Sequence, residues 1–112
     1  MILSTTGYSF EGYTIIKYID VISNPVVIGT GFLSSLGASF ADLTGTRSST
    51  YENKLEKAEK IALQGLKDKA TRIGANAIIG IDFDITTLSN NIIAASVNGT
   101  AVEIEKNKGL SL

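Results

Sequence analysis

The sequence predicts an α+β domain built in the order β-α-β-β, and three observations carry that prediction. A β-branched and aromatic run spans Tyr13 to Ile22. A long apolar stripe at helical spacing runs from Tyr51 to Ile73. Two further runs, Ala77 to Leu88 and Ile92 to Ile104, sort into an apolar and a polar face when folded against each other.

Residues 4–12 hold Ser, Thr, Gly and a Glu-Gly pair, and read as an extended or turning lead-in. In the first strand Thr14, Ile16, Tyr18 and Asp20 fall on one side, and Ile15, Lys17, Ile19 and Val21 on the other. Ser23-Asn24-Pro25 is expected to end it, because proline donates nothing to a ladder. Val26 to Ile28 reads as a small extra strand. Gly29-Thr30-Gly31 then opens Phe32 to Leu43, where Phe32, Leu33, Leu36, Phe40 and Leu43 recur at the spacing of a short helix. Thr44-Gly45-Thr46 is a turn.

Ser49-Thr50-Tyr51-Glu52 fits a capping box: a hydroxyl for an early amide, and a glutamate that reaches back. Tyr51, Leu55, Ala58, Ala62, Leu66, Ala70 and Ile73 then form the stripe of a long helix. Glu56–Lys60 and Asp68–Arg72 are acid-before-base pairs one turn apart. Gly74 stands where a left-handed residue closes a helix.

The hairpin has a readable register. If Leu88 pairs with Ile92 across Ser89-Asn90-Asn91, then Ile79, Ile81, Phe83 and Ile85 face Ala101, Gly99, Val97 and Ala95. The other face pairs Gly80 with Thr100, Asp82 with Asn98 and Asp84 with Ser96. A slip by one residue breaks both faces. The simplest sheet has order 1-3-2, all antiparallel, with the last strand central and the long helix over the apolar face. The small residues Ala94, Ala95, Gly99 and Ala101 suit a central strand approached closely by a helix. A single domain over residues 1–105 is expected, with 106–112 as a flexible tail.

Composition narrows the chemistry. The 112 residues hold no Cys, His or Trp, and a single Met, at position 1. That excludes disulfides, thiolate nucleophiles, zinc fingers and a histidine base within the chain. Lys+Arg 10 against Asp+Glu 11 leaves a net charge of -1, so no basic excess marks a nucleic-acid surface. No run has the length of a membrane helix, and no signal segment is visible, so a cytoplasmic location is expected. Hydrophobic residues are 44% and charged residues 19%, more apolar content than one small monomer readily hides. An oligomer is expected.

Two constellations are candidate sites. Asp82 and Asp84 lie two apart on one strand, so both carboxylates project from one face, with Ser96, Asn98 and Thr100 beside them. An oxygen-only set suits Mg²⁺, Ca²⁺ or Mn²⁺ better than a soft metal. A solvated sheet face, or hydrogen bonds across a subunit interface, is the simpler explanation of the same residues. Arg47, Tyr51 and Glu52 mark the start of the long helix, where a guanidinium and free amides can hold an anion. Capping with an ion pair, within or between subunits, explains them as well.

Five stretches carry a resemblance to a known family. They are Ser4-Thr5-Thr6, Glu11 to Ile15, Gly45 to Glu52, Gly74 to Asp84, and Val97 to Val102. In this order and at these separations the chain resembles the YbjQ-like family, small proteins labelled putative heavy-metal-binding. The resemblance implies a dodecin-like β-α-β-β subunit in a ring-shaped homopentamer, and no established reaction. Where relatives have Gly-Gly-Arg-Ser, this chain has Gly45-Thr46-Arg47-Ser48, and Ser34 and Ala41 stand where relatives often carry arginine. The expectation is a non-enzymatic, homo-oligomeric module that binds a divalent metal ion or small ligand weakly. The alternative expectation is a dodecin-like carrier of an organic cofactor.

Overall fold

The computed structural model describes residues 1–7, 9–28, 51–89 and 92–108, with the backbone alone for Tyr51 and Ser89. Five elements follow in chain order: β1 (Ile2–Leu3), β2 (Tyr13–Ile28), α1 (Tyr51–Arg72), β3 (Ala77–Ser89) and β4 (Ile92–Lys106). The strands form one sheet of order β1-β3-β4-β2. The three long strands are arranged as expected, with the last one between the other two. The addition is β1, a parallel partner of β3 that pairs Ile2 with Ala77 and Leu3 with Ile78. The sheet is therefore mixed. Two residues are too few for periodicity to reveal a strand.

Strand β2 runs through Ser23-Asn24-Pro25, contrary to expectation, and Val26–Ile28 is its continuation. Pro25 pairs with Ser96. Among the described residues β2 is an edge strand, and there a proline whose missing N–H faces away from the ladder costs no bond. Register shifts between Ile15 and Lys17 and between Tyr18 and Asp20 break the simple alternation predicted for its first half.

Helix α1 packs one stripe on the sheet. Ala58, Ala62, Leu66 and Ala70 are fully buried against Ile22, Val26, Ile78 and Val97. Ile73, expected in the stripe, lies past the helix end and is 42% exposed. The chain has already turned there: Gly74 has φ +88°. Ala75 N donates to Ala70 O at 2.9 Å and Gly74 N to Thr71 O at 3.1 Å, the paired bonds of a Schellman cap. Ala70 and Ala75 are both buried in the same cluster, the apolar contact that accompanies this cap. Asp68 Oδ1 accepts from Gln64 Nε2 at 3.0 Å, whereas Arg72 Nε reaches the Asp68 backbone carbonyl at 3.3 Å.

The helix comes closest to the sheet at Gly65. A Cβ there would lie 2.0 Å from Asn24 Nδ2, an impossible contact. Asn24 Nδ2 donates to Ala62 O at 3.1 Å, and Lys69 Nζ donates to Ser23 O at 2.7 Å. Gly99, by contrast, is small because of β3: a Cβ on it would meet Ile78 Cγ2 at 2.6 Å and Ile79 O at 3.2 Å. The reading of Gly99 as room for a helix is corrected to room for a neighbouring strand.

The hairpin register holds in its distal half: Asp82–Asn98, Phe83–Val97, Asp84–Ser96 and Ile85–Ala95 all pair as expected. It shifts at both ends. Ser89 pairs with Ile92, in place of Leu88 with Ile92. At the base, Ile78 faces Ala101 and Ile79 faces Thr100, because a bulge at Gly80 and Ile81 absorbs one residue. Gly80 has φ +63°, a conformation that side chains with a Cβ seldom take.

The bulge divides the core. Ile78 and Ile81 join the cluster under the helix. Ala77 and Ile79 face the other way and pack with Phe10, Val102 and Ile104 into a second, smaller cluster. Asn76 ties the base of this region. Its Nδ2 donates to Ile104 O at 2.9 Å, and its Oδ1 accepts from Ile104 N at 2.7 Å. The far end of β4 is closed by Asn107 N, which donates to Gly12 O at 2.9 Å. The predicted short helix over Phe32–Leu43 and the residues of the predicted capping box before Tyr51 lie outside the described residues.

Candidate functional site

The face of the sheet away from α1 carries the predicted carboxylates. Reading across the strands, Asp82 aligns with Asn98 and Ser23, and Asp84 with Ser96 and Pro25. Both aspartates are exposed. Strand alternation puts them on one side, and the distal register puts neutral oxygens next to them. Thr100 stands one row further along β4, as expected, and the bulge places Ile79 opposite it in the stead of Gly80.

The donor set is small and hard. Among the described residues no group of three or more His, Cys, Asp or Glu comes together in a way that could hold a metal ion. The whole sequence has no Cys or His. Two exposed carboxylates with amide and hydroxyl neighbours do not fit a soft heavy metal, which takes thiolate or imidazole. They match the chemistry of a hydrated hard cation, which takes oxygen ligands.

The second predicted constellation is only partly described. Arg47 lies outside the described residues, Tyr51 begins the helix, and Glu52 is exposed in its first turn. The acid sits where the helix dipole favours negative charge.

Beside the carboxylate rows the face turns apolar. Along β2, Val21 is 75% exposed, Tyr18 65% and Val27 51%. Val21 and Val27 flank the Ser23 and Pro25 rows, opposite Thr100 and Ala94. Polar β3 and apolar β2 thus share one face that no element among the described residues covers. Sequence reasoning anticipated an excess of apolar surface but did not place it, since an edge strand and a central strand look alike in composition.

One cluster of polar residues was not anticipated as a unit. Ser4 Oγ lies 2.8 Å from Thr6 Oγ1 and accepts from Thr6 N at 3.1 Å. The same short segment accepts the bulge amides: Gly80 N donates to Thr6 O at 3.2 Å and Ile81 N to Ser4 O at 3.0 Å. Adjacent to it, Leu3, Leu63, Ile81 and Phe83 line a small apolar cleft. The signal available in the sequence was the coincidence of Ser4-Thr5-Thr6 with an isolated strand glycine, Gly80.

A family model described as "Putative heavy-metal-binding" matches residues 1–105. The chain belongs to that family, YbjQ. Curated relatives agree. A "UPF0145 protein" of Carboxydothermus hydrogenoformans is 38% identical over 105 residues, covering 94% of this chain and 97% of the relative. One of Bacillus cereus is 39% identical over 104 residues, covering 93% and 100%. Among solved structures, a protein of unknown function of the DUF74 family from Pediococcus pentosaceus is similar, with TM-score 0.57 and 21% identity over 94% of this chain and 98% of that one. At that identity the likeness is one of fold. Among the described residues, no helix of this YbjQ member is long and apolar enough to cross a membrane.

Proposed function

We propose that this YbjQ member is a non-enzymatic assembly module, a ring-shaped homopentamer. The observation that carries the reading is the sheet face away from α1, where Tyr18, Val21 and Val27 stand exposed along one strand. A 22-residue helix is about 33 Å long, at about 1.5 Å per residue. A 16-residue strand is about 53 Å long, at about 3.3 Å per residue. The helix covers one face of part of the sheet, and exposed apolar rows on a small, nearly neutral chain favour self-association. Native mass spectrometry of the purified chain is expected to show a closed oligomer. A strict monomer at micromolar concentration ends this reading.

The second part of the proposal concerns ligands. The rows Asp82–Asn98–Ser23 and Asp84–Ser96 support weak binding of a hard divalent cation or a small polar ligand. Titration calorimetry with Mn²⁺ and Ca²⁺ is expected to give weak heats, lost in Asp82→Asn/Asp84→Asn, and no tight binding of Zn²⁺ or Cu²⁺. Absence of heat and of any melting shift with all four ions removes the metal reading while leaving the assembly reading standing.

A further inference from the structure

The first half of β3 can meet β4 in two registers that bury nearly the same side chains. In the structure Ala77 faces Val102, Ile78 faces Ala101 and Ile79 faces Thr100, while past the bulge Phe83 faces Val97. Removing the bulge with Phe83–Val97 held in place would bring Ile79 opposite Ala101 and Ile78 opposite Val102. Under the helix, one isoleucine would replace another. On the outer face, Ile78 and Gly80 would stand where Ala77 and Ile79 now stand. Hydrophobic burial therefore discriminates weakly between the two, unlike the usual slip that turns an apolar face to solvent.

The backbone does discriminate. A regular strand turns alternate amides to the same edge. Here two successive amides, Gly80 N and Ile81 N, both leave the sheet towards the N-terminal segment, meeting Thr6 O at 3.2 Å and Ser4 O at 3.0 Å. Ser4 N in turn donates to Ile78 O at 2.9 Å, and Ile2 N to Asn76 O at 3.1 Å. The Ser4 and Thr6 hydroxyls, 2.8 Å apart, hold the segment in the turn that presents both carbonyls. Only the bulged register offers this segment its two adjacent donors. Asn76, bonded twice to Ile104, anchors the same register from the helix side.

We infer that residues Ile2–Thr6 are a conformational strap that selects the register of β3. Its release slides Ala77–Ile79 by one residue along β4. Because Asn76 follows the helix cap at Gly74–Ala75, the C-terminal end of α1 moves with it. The carboxylate rows, beyond the bulge, keep their register.

NMR contacts across the hairpin test this in the full chain. Ser4→Pro removes the Ser4 donor and hydroxyl, and Gly80→Ala penalises the positive φ of the bulge. In both variants the Ile79 contact is expected to move from Thr100 to Ala101, with the Phe83–Val97 and Ile85–Ala95 contacts unchanged. Ile79 remaining opposite Thr100 in Ser4→Pro overturns the inference, and a shift in Gly80→Ala alone assigns the register to the glycine and not to the strap. Loss of the Phe83–Val97 contact in Ser4→Pro also overturns it, since the unbulged register would then not be a folded state.

Discussion

The two faces of this sheet are built on opposite terms. The face under α1 is closed by four small or medium side chains per stripe, with Ala58, Ala62, Leu66 and Ala70 all fully buried. The outer face closes only at its base, where Phe10, Ala77, Ile79, Val102 and Ile104 meet, and then opens into exposed valines beside carboxylates. The difference separates the face that holds the fold from the face that the assembly proposal assigns to another subunit. Burial on the helix side holds the fold. Beyond its base, the outer face keeps apolar side chains exposed, with Val21 at 75%.

That contrast can be broken by substitution. Leu66→Ala removes the largest buried side chain of the helix stripe and is expected to cost about 2–5 kcal/mol. Thermal or denaturant unfolding measures it, and a cost below about 1 kcal/mol would mean that the helix is not the main cover. Gly99→Ala is expected to cost about 1–3 kcal/mol, because the new methyl meets Ile78 and a backbone carbonyl on β3. An equal cost for Ala95→Gly would instead point to a general intolerance of β4. Val21→Ser is expected to change the stability of the isolated chain by less than about 0.5 kcal/mol, since the residue is 75% exposed. Measured on the assembled form, the same variant should weaken self-association, and a large loss in the isolated chain would show that Val21 belongs to the core.

Much of this fold was legible because period and composition agreed. The helix stripe followed from helical spacing, the central place of β4 from the simplest sheet and its small residues, and the pairs from Asp82–Asn98 to Ile85–Ala95 from alternation. Alternation failed at Gly80 for a specific reason: Ile78 and Ile79 are the same residue type, so the pattern carried no information on which one faces the helix. Pro25 misled because a proline ends a central strand but not an edge strand, and edge position is a property of the assembled sheet. For the candidate site, the positions of Asp82, Asp84, Asn98 and Ser96 were legible, and the exchange of Gly80 for Ile79 opposite Thr100 was not, since it depends on the bulge. The Ser4–Thr6 cluster, which accepts backbone amides of another strand, left only an indirect trace, the isolated glycine Gly80 in a strand pattern.

The contact between Asn24 and Gly65 has a consequence for motion along the helix axis. An alanine-rich stripe repeating every fourth residue is nearly smooth, and a smooth ridge can ratchet by one turn, about 5.4 Å, with little change in what it buries. Gly65 is the sole glycine of α1, so it is the one notch along the helix that can receive the Asn24 side chain. Displaced by a turn in either direction, Asn24 would meet a Cβ, and its bond to Ala62 O would be lost. The notch works as a vernier mark: it gives an otherwise slippery ridge a single zero point on the sheet.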